Sequence, residues 1–347
     1  MPVMTNRKRL ICLYVFIFVA SVQAKGWTAA PTTQLAQNST AAPTLKPIFF
    51  LVPTATFISS LPIWVALASN YFAEEGLDVK IIASTGGSLG IAMLLNAAGQ
   101  VGGVGDTAIR AAFQGAPVKV VGIPVKAANF YLYSRAEFSD VNSLKGKSIA
   151  VGSLNGTPHV LAMKILHNDF GWANPSRDVR WVSIREQRVQ SVQSGAVQAA
   201  MVLSPENVQA DRLGMRRHFT TMDYFAIPSG GITVSADYLR KNPEDVRAFL
   251  KGHLKGLERI HSDPQFAISV IQQRLKIDRG TAKAIYDSQL STFTRDDMVS
   301  ADALKLTLDF NKEQMKNITR DLKPEDVFDF TIVGQIGSEL QPSRRKP

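Results

Sequence analysis

The fold is decided by residues 62–79, which read Pro-Ile-Trp-Val-Ala-Leu-Ala-Ser-Asn-Tyr-Phe-Ala-Glu-Glu-Gly-Leu-Asp-Val. This stretch predicts a helix that begins after Ser60, ends at Gly76 and leads into a strand. Another apolar strand, Ile48 to Val52, precedes the helix and completes a β-α-β unit. Ligands of open α/β sheets bind at the carboxyl ends of strands, against helix N-termini. The turn from Pro53 to Ser60 is therefore predicted to form one wall of a small-molecule cleft.

The composition is that of a globular protein. The chain has 347 residues, of which 45% are hydrophobic, enough for one large domain or two medium ones. Its 39 Lys and Arg residues outnumber its 29 Asp and Glu residues, which gives a formal charge of +10. The basic residues are scattered among acidic ones and form no tract, so nucleic acid is not an expected partner.

The N-terminus has the pattern of a secretory signal. Arg7, Lys8 and Arg9 precede an apolar run from Leu10 to Ala20, and Val22-Gln23-Ala24 matches a small-x-small cleavage site. The run is shorter than the roughly 20 residues that a bilayer core requires. Residues 1–24 are therefore predicted to be a cleavable signal peptide rather than a membrane anchor, and the mature protein is predicted to be periplasmic.

Removal of this segment has two consequences. It leaves a charge of +7, since three of the 39 basic residues are removed, and it removes Cys12, the single cysteine. The mature chain is thus without disulfides, thiol catalysis and thiolate metal sites. Residues 25–46 are rich in Ala, Thr, Gln, Ser and Pro and are predicted to form a flexible leader.

From Ile48 onward, strands and helices alternate. The continuous apolar run Val118–Ile123 is typical of a strand buried on both faces, and the alternation predicts mainly parallel sheets. A second cycle of strands and helices starts near Phe130, and from Asn242 the chain is mostly helical. We therefore predict an α/β protein of two lobes with a ligand between them. The predicted boundaries are 47–127 with 231–340 for lobe I and 128–230 for lobe II, and the predicted hinges are Val125–Asn129 and Pro228–Ile232.

Candidate ligand contacts lie in turns that follow predicted strands. Hydroxyl groups and free backbone N–H groups at a helix start can hold an oxyanion, and glycines let the backbone approach a bound group. The candidates in lobe I are Thr54, Thr56, Ser59 and Ser60 in the first turn, Gly86, Gly87 and Ser88 in the second, and Asp106 and Thr107 in the third. Those in lobe II are Asn155, Gly156 and Thr157 in one turn, with Ser204 and Glu206 in another turn as weaker candidates.

Several of these positions also have a purely structural explanation. Ser59, Ser60 and Ser88 are good helix N-caps, and Asp106 could cap a helix instead of binding a ligand amine. His159 could add positive charge below about pH 6.5, or could be an ordinary helix residue. Trp64 and Trp181 could be aromatic clamps, but core positions are favoured for both.

Four short motifs resemble one family, the SsuA/THI5-like (NMT1-like) periplasmic substrate-binding proteins. They are Phe72-Ala-Glu-Glu-Gly-Leu-Asp-Val79, Ala98-Gly-Gln-Val101 with Gly105, Ser143-Leu-Lys-Gly-Lys-Ser-Ile-Ala-Val151 and Ser194-Gly-Ala-Val-Gln-Ala-Ala200. Their order and spacing agree with the family over about Ile48 to Val333. Gly103 and Gln198 stand where the family usually has Asp, and the cysteine motif of its pyrimidine-forming enzymes is absent.

The resemblance implies a type II periplasmic-binding-protein fold, each lobe a mainly parallel sheet flanked by helices. It also implies a monomer that closes on a small ligand and delivers it to an ABC permease in the membrane. Relatives bind alkanesulfonates, taurine, nitrate, thiamine-pathway pyrimidines or aromatic acids, so a sulfonate, carboxylate or aromatic ligand is expected. No cofactor, metal or catalytic residue is expected, because the sequence has no H-E-x-x-H motif and its five scattered histidines form no pair at ligand spacing. The alternative is an enzyme of cofactor biosynthesis, acting on a thiamine-pyrimidine-like compound with the same fold.

Overall fold

The computed structural model describes residues 44–55, 58–84, 86–127, 129–315 and 318–340. The predicted signal peptide and all but the last residues of the predicted leader lie outside these ranges, as does Thr56. The first strand begins at Lys46, one residue before the predicted start of lobe I.

The described residues form two five-stranded sheets. The first sheet has the order β2-β1-β3-β10-β4 and the second the order β7-β6-β8-β5-β9. The strands are β1 Lys46–Val52, β2 Leu77–Ala83, β3 Val101–Gly103, β4 Val118–Gly122, β5 Tyr131–Ser134, β6 Ser148–Val151, β7 Arg180–Ser183, β8 Ala199–Val202, β9 Arg216–Thr220 and β10 Ile232–Ser235.

Helices cover both sheets. They are α1 Leu61–Ala68, α2 Tyr71–Glu74, α3 Gly87–Leu95, α4 Gly105–Phe113, α5 Thr157–Asn168, α6 Pro175–Asp178, α7 Arg188–Gln193, α8 Glu206–Arg212, α9 Ala236–Lys241, α10 Pro243–Ser262, α11 Pro264–Leu275, α12 Arg279–Leu290, α13 Ala301–Glu313, α14 Pro324–Val327 and α15 Thr331–Leu340. Short 3-10 turns lie at Ile58–Ser60, Val141–Leu144 and Thr221–Asp223. In the described ranges, no helix is both long and apolar enough to span a bilayer.

The two sheets have the same arrangement of strand directions. In the first, β1 pairs in parallel with β2 and β3, and β10 runs antiparallel to both β3 and β4. In the second, β6 pairs in parallel with β7 and β8, and β5 runs antiparallel to both β8 and β9. Each sheet therefore has four strands in one direction and one reversed strand, which confirms the prediction of mainly parallel sheets flanked by helices.

The reversed strands are where the chain crosses between the sheets. One crossover, residues 123–130, leaves β4 and enters β5; the other, residues 221–231, leaves β9 and enters β10. A reversed strand begins at the edge where its neighbours end, so both crossovers join the carboxyl edges of the two sheets. They also run side by side, because the Ser229 N–H donates to the Val125 carbonyl at 3.0 Å.

The opening stretch differs from its prediction in one respect. A single helix up to Gly76 was predicted, but α1 ends at Ala68 and the separate turn α2 begins at Tyr71. Asn70 between them is left-handed, with a φ of 59°, a conformation that asparagine tolerates better than most residues. The break reorients the chain before β2, while Trp64 and Phe72 both remain in the core.

The helical C-terminal part packs on the first sheet and touches the second. Helix α10 lies against α1 at Gly256, where an added Cβ would stand 2.3 Å from the Pro62 carbonyl oxygen, so only glycine allows this approach. Phe310 of α13 packs against Leu161 of α5, on the second sheet, and against Ile227 of the second crossover. The C-terminal helices thereby hold the two halves together beside the crossovers.

Candidate ligand-binding cleft

The topology joins the carboxyl edges of the two sheets, where the sequence predicts the ligand cleft. Both crossovers are short and both join carboxyl edges, so these edges lie opposite each other. Six turns follow strands at these edges: 53–60 after β1, 84–86 after β2 and 104–107 after β3 on one side, and 152–156 after β6, 184–187 after β7 and 203–206 after β8 on the other. In open α/β sheets this edge is the ligand side.

The first turn contributes hydroxyl groups of differing exposure. Thr54 is exposed, Ser59 is partly buried and Ser60 is buried, whereas Thr56 lies outside the described residues. Ser60 stands at the N-cap of α1 but makes no side-chain capping bond. Capping therefore does not account for Ser60, and Thr54 and Ser59 are the hydroxyl residues of this turn with accessible surface.

The second and third turns touch each other. A Cβ added to Gly87 would stand 2.1 Å from the Thr107 Oγ1, so the absence of a side chain at Gly87 lets α3 begin against α4. Helix α3 begins at Gly87, with Gly86 at its N-cap. Ser88 is therefore the second helical residue rather than the predicted cap, and it is exposed.

Asp106 is bonded to the second crossover. Its carboxylate accepts a hydrogen bond from the Ser229 hydroxyl at 3.1 Å and one from the Gly230 N–H. Burial raises the pKa of Asp106 above its ordinary value, against the lowering effects of Arg110 and of these two donors. Helix α4 starts at Gly105 with Val104 at the N-cap, so Asp106 is not a cap either. Its observed partners belong to the crossover.

The lobe II turn after β6 is held by a histidine. Helix α5 begins at Thr157 with Gly156 at the N-cap, and Asn155 is left-handed with a φ of 60°. The Asn155 N–H donates to the His159 Nδ1 at 2.9 Å. His159 thus fixes the strained turn rather than supplying charge, and burial lowers its pKa below the ordinary value.

An open groove of about 700 Å³ adjoins this turn. Asn155, His159 and Trp181 line it, and the His159 and Trp181 rings meet edge to face with centroids 4.6 Å apart. Trp181 is partly exposed, unlike Trp64, which is buried in the core. A second cavity of about 820 Å³ lies on α10 and α15, and none of its lining residues belongs to the six turns.

Arg188 was not predicted from the sequence as a site residue. This side chain is 6% exposed at the start of α7, and its guanidinium pairs with the Glu206 carboxylate beside Ser204. Ser204 is 1% exposed, and its hydroxyl has no hydrogen-bond partner among the described residues. The rule that selected the other turns, a position just after a parallel strand, also applies to the turn after β7 and would have led to Arg188.

The described residues contain no group of three or more His, Cys, Asp or Glu side chains that could hold a metal ion. What the six turns offer is a set of hydroxyls, backbone N–H groups and one buried ion pair. Such a set can bind a small polar ligand by hydrogen bonds.

Comparison with known proteins gives matches over most of the chain. A family model described as NMT1/THI5 like matches residues 58–267, more than half of the chain. The riboflavin-binding protein RibY of Chloroflexus aurantiacus is 26% identical over 266 residues, which cover 71% of this chain and 70% of that protein.

Solved structures share the fold. The periplasmic aliphatic sulphonate binding protein SsuA of Escherichia coli is superimposed with a TM-score of 0.68 at 16% identity, covering 84% of this chain and 99% of that one. The desulfurization enzyme DSZB is superimposed with a TM-score of 0.63 at 14% identity, covering 85% and 99%. The predicted two-lobed periplasmic-binding-protein fold is therefore confirmed.

Proposed function

Because the chain belongs to the NMT1/THI5-like family, as its sequence motifs predicted, we propose that it is a solute-binding protein of an ABC importer. It captures a small organic ligand of sulfonate, carboxylate or aromatic type between its two lobes. It then delivers the ligand to a membrane permease. Closure of the lobes about residues 123–130 and 221–231 is the proposed mechanism, with affinity set by the difference between the open and closed states.

The observation that carries this proposal is the pair of adjacent crossovers that join the carboxyl edges of two similar sheets. Two lobes that are joined at one edge by two adjacent segments, with Phe310 of α13 packed beside them, can rotate toward each other about that edge. The turns at both edges are rich in hydroxyls and glycines, which suit hydrogen bonding to a ligand from both sides.

The relatives support capture of a small molecule but name different ligands. RibY is named for riboflavin and SsuA for aliphatic sulphonates. We propose both compound classes as candidates for this chain. The secretory pattern in residues 1–24 supports export to the periplasm, and the protein is proposed to act there as a monomer.

A thermal-shift screen tests the proposal directly. The panel contains riboflavin, hexanesulfonate, taurine, nitrate, a thiamine-pathway pyrimidine and benzoate. A true ligand present at 100 times its Kd should add about 2.7 kcal/mol to the free energy of unfolding. Stabilisation by one compound without chemical change supports binding and transport.

An enzyme is the second candidate, because DSZB shows that this fold can also carry an enzyme. Incubation of each panel compound with the protein, followed by mass spectrometry of the small molecules, separates the two. Conversion of a compound, with no stabilisation by any of them, would refute the binding proposal.

A further inference from the structure

Arg188 and Glu206 form a buried ion pair at the carboxyl edge of the second sheet. The Arg188 backbone N–H donates to one Glu206 carboxylate oxygen at 2.9 Å, and the guanidinium donates to the other. The guanidinium also donates to the Arg185 carbonyl at 3.0 Å. A Cβ added to Gly152 would stand 3.1 Å from the Arg188 Nη1, so the Arg188 side chain lies against the backbone that follows β6.

Three polar atoms in this cluster are buried without a hydrogen-bond partner in the described part of the chain. They are the Arg188 Nε, the Ser204 hydroxyl oxygen and the Asn207 Oδ1. Ser204 and Asn207 are 1% and 2% exposed, and both flank Glu206 in sequence. Buried polar groups are nearly always paired, so an unpaired set at the ligand edge indicates a site for an external partner. The set offers a donor, an acceptor and a hydroxyl that can act as either.

The charges of the turns do not favour an anion. In residues 53–60, 84–88, 104–107, 152–157, 184–188 and 203–206, the basic residues are Arg185 and Arg188, and the acidic ones are Asp106, Glu186 and Glu206. The buried cation, Arg188, is already neutralised by Glu206. An anionic ligand would have to displace this carboxylate, which is held by two hydrogen bonds.

The same edges also expose apolar surface. Leu89, in the first turn of α3, and Leu154, in the turn after β6, are each 51% exposed. They lie on edges that the crossovers hold opposite each other. Single exposed leucines are common, and Leu154 also lines the open groove beside His159. One exposed leucine on each carboxyl edge nevertheless leaves apolar surface that suits the faces of a flat ring.

We propose that Arg188, Glu206, Ser204 and Asn207 form the subsite that determines ligand class, and that the ligand is a neutral planar heterocycle with amide or imide groups. The ring edge exchanges hydrogen bonds with the Ser204 hydroxyl, the Asn207 carbonyl and the Arg188 Nε. The Arg188–Glu206 pair acts as a fixed dipole without net charge. This inference rests on the proposed function and narrows its range of ligands.

Ser204→Ala is the first test, with riboflavin as the neutral probe and hexanesulfonate as the anionic one. Because the hydroxyl has no partner among the described residues, its removal should leave the Tm without ligand unchanged or raise it. Loss of one ligand hydrogen bond should weaken riboflavin binding about tenfold, measured by calorimetry.

Glu206→Gln is the second test, because it keeps an oxygen acceptor but leaves the Arg188 charge uncompensated. It should weaken riboflavin binding and raise the affinity for hexanesulfonate at least about tenfold. Asp237→Asn is the matched control: it removes one carboxylate from an exposed ion pair on α9, at the opposite edge of the first sheet, and should change neither affinity.

The possible results separate the inference about the subsite from the proposed function. Riboflavin binding that is unaffected by Ser204→Ala overturns the inference but leaves the proposed function standing. If the unaltered protein binds hexanesulfonate in preference to riboflavin, the inference is also overturned and the proposed function still stands. Absence of binding by every compound of the panel overturns both.

Discussion

Gly105→Ala should damage both stability and ligand binding. A Cβ on Gly105 would lie 2.5 Å from the Gly231 nitrogen and 2.7 Å from its Cα. Carbon atoms in contact prefer about 3.5–4.0 Å, so the start of α4 and the second crossover must separate by about 1 Å or more. The obstacle is backbone, which cannot rotate out of the way as a side chain can.

The magnitude follows from two contributions. Overpacking of this kind costs about 1–3 kcal/mol. The displacement also pulls Asp106 away from Ser229 of the same crossover, whose bond of 3.1 Å contributes about 1 kcal/mol more. We therefore expect Gly105→Ala to lower the free energy of unfolding by about 2–4 kcal/mol. It should also reduce the stabilisation by any ligand that needs lobe closure.

Urea unfolding followed by circular dichroism measures the first effect, and the same titration with ligand measures the second. Gly334→Ala is the matched control, because Gly334 lies inside α15 and nothing is within 4 Å of its added Cβ. Alanine should there stabilise the helix by about 0.5–1 kcal/mol. Equal effects of the two substitutions, or a change of less than about 0.5 kcal/mol at Gly105, would refute the reasoning.

Gly256, Asn155 and two buried histidines give three further predictions. Gly256→Ala places a Cβ 2.3 Å from the Pro62 carbonyl oxygen, so α10 must move away from α1. The free energy of unfolding, measured with urea, should fall by about 3 kcal/mol. An unchanged urea midpoint would contradict this. Asn155→Ala should destabilise the protein by about 1 kcal/mol through its φ of 60°, whereas Asn155→Gly should be nearly neutral in the same assay. The pKa values of His159 and His218 are lowered by burial, that of His218 to about 4, while the unfolded chain takes up these protons below about 6.5. The unfolded state therefore binds more protons below pH 6.5, so the Tm should be constant above that pH and fall from there toward pH 4. His218→Gln should make this fall smaller. A constant Tm between pH 7 and pH 5 would show that the buried histidines do not have lowered pKa values.

The fold could be predicted from the sequence because the signals of strands and helices recur along the chain. Apolar runs such as Val118–Ile123 recur between amphipathic helices, so an error of one or two residues at an element boundary changes nothing in the topology. The strand predicted at Val118–Ile123 corresponds to β4, Val118–Gly122. The break at Asn70 escaped prediction because the residues on either side of it continue an apolar helical pattern, and one left-handed residue leaves no periodic signal.

The site was only partly predictable, because its contacts join residues far apart in sequence. Position after a strand identified Ser204, but nothing in the turn after β7 showed that the Arg188 side chain is buried against Glu206. Likewise, Asp106 was assigned a choice between a ligand amine and a helix cap. Its actual partner, Ser229, is 123 residues away and belongs to a segment that the sequence marked only as a hinge.

The Asp106–Ser229 bond joins the turn after β3 to the second crossover. Thr107, next to Asp106, touches Gly87 of the neighbouring turn, and Ser229 is bonded in turn to Val125 of the other crossover. A ligand bound at the turns after β2 and β3, as proposed, would therefore act on both crossovers through these hydrogen bonds. Asp106→Asn retains the oxygen that accepts from Ser229, whereas Asp106→Ala removes it. If the bond transmits closure, the alanine variant should lose more ligand-induced compaction in small-angle scattering than the asparagine variant, and equal compaction in both would show that the crossovers move independently of the turns.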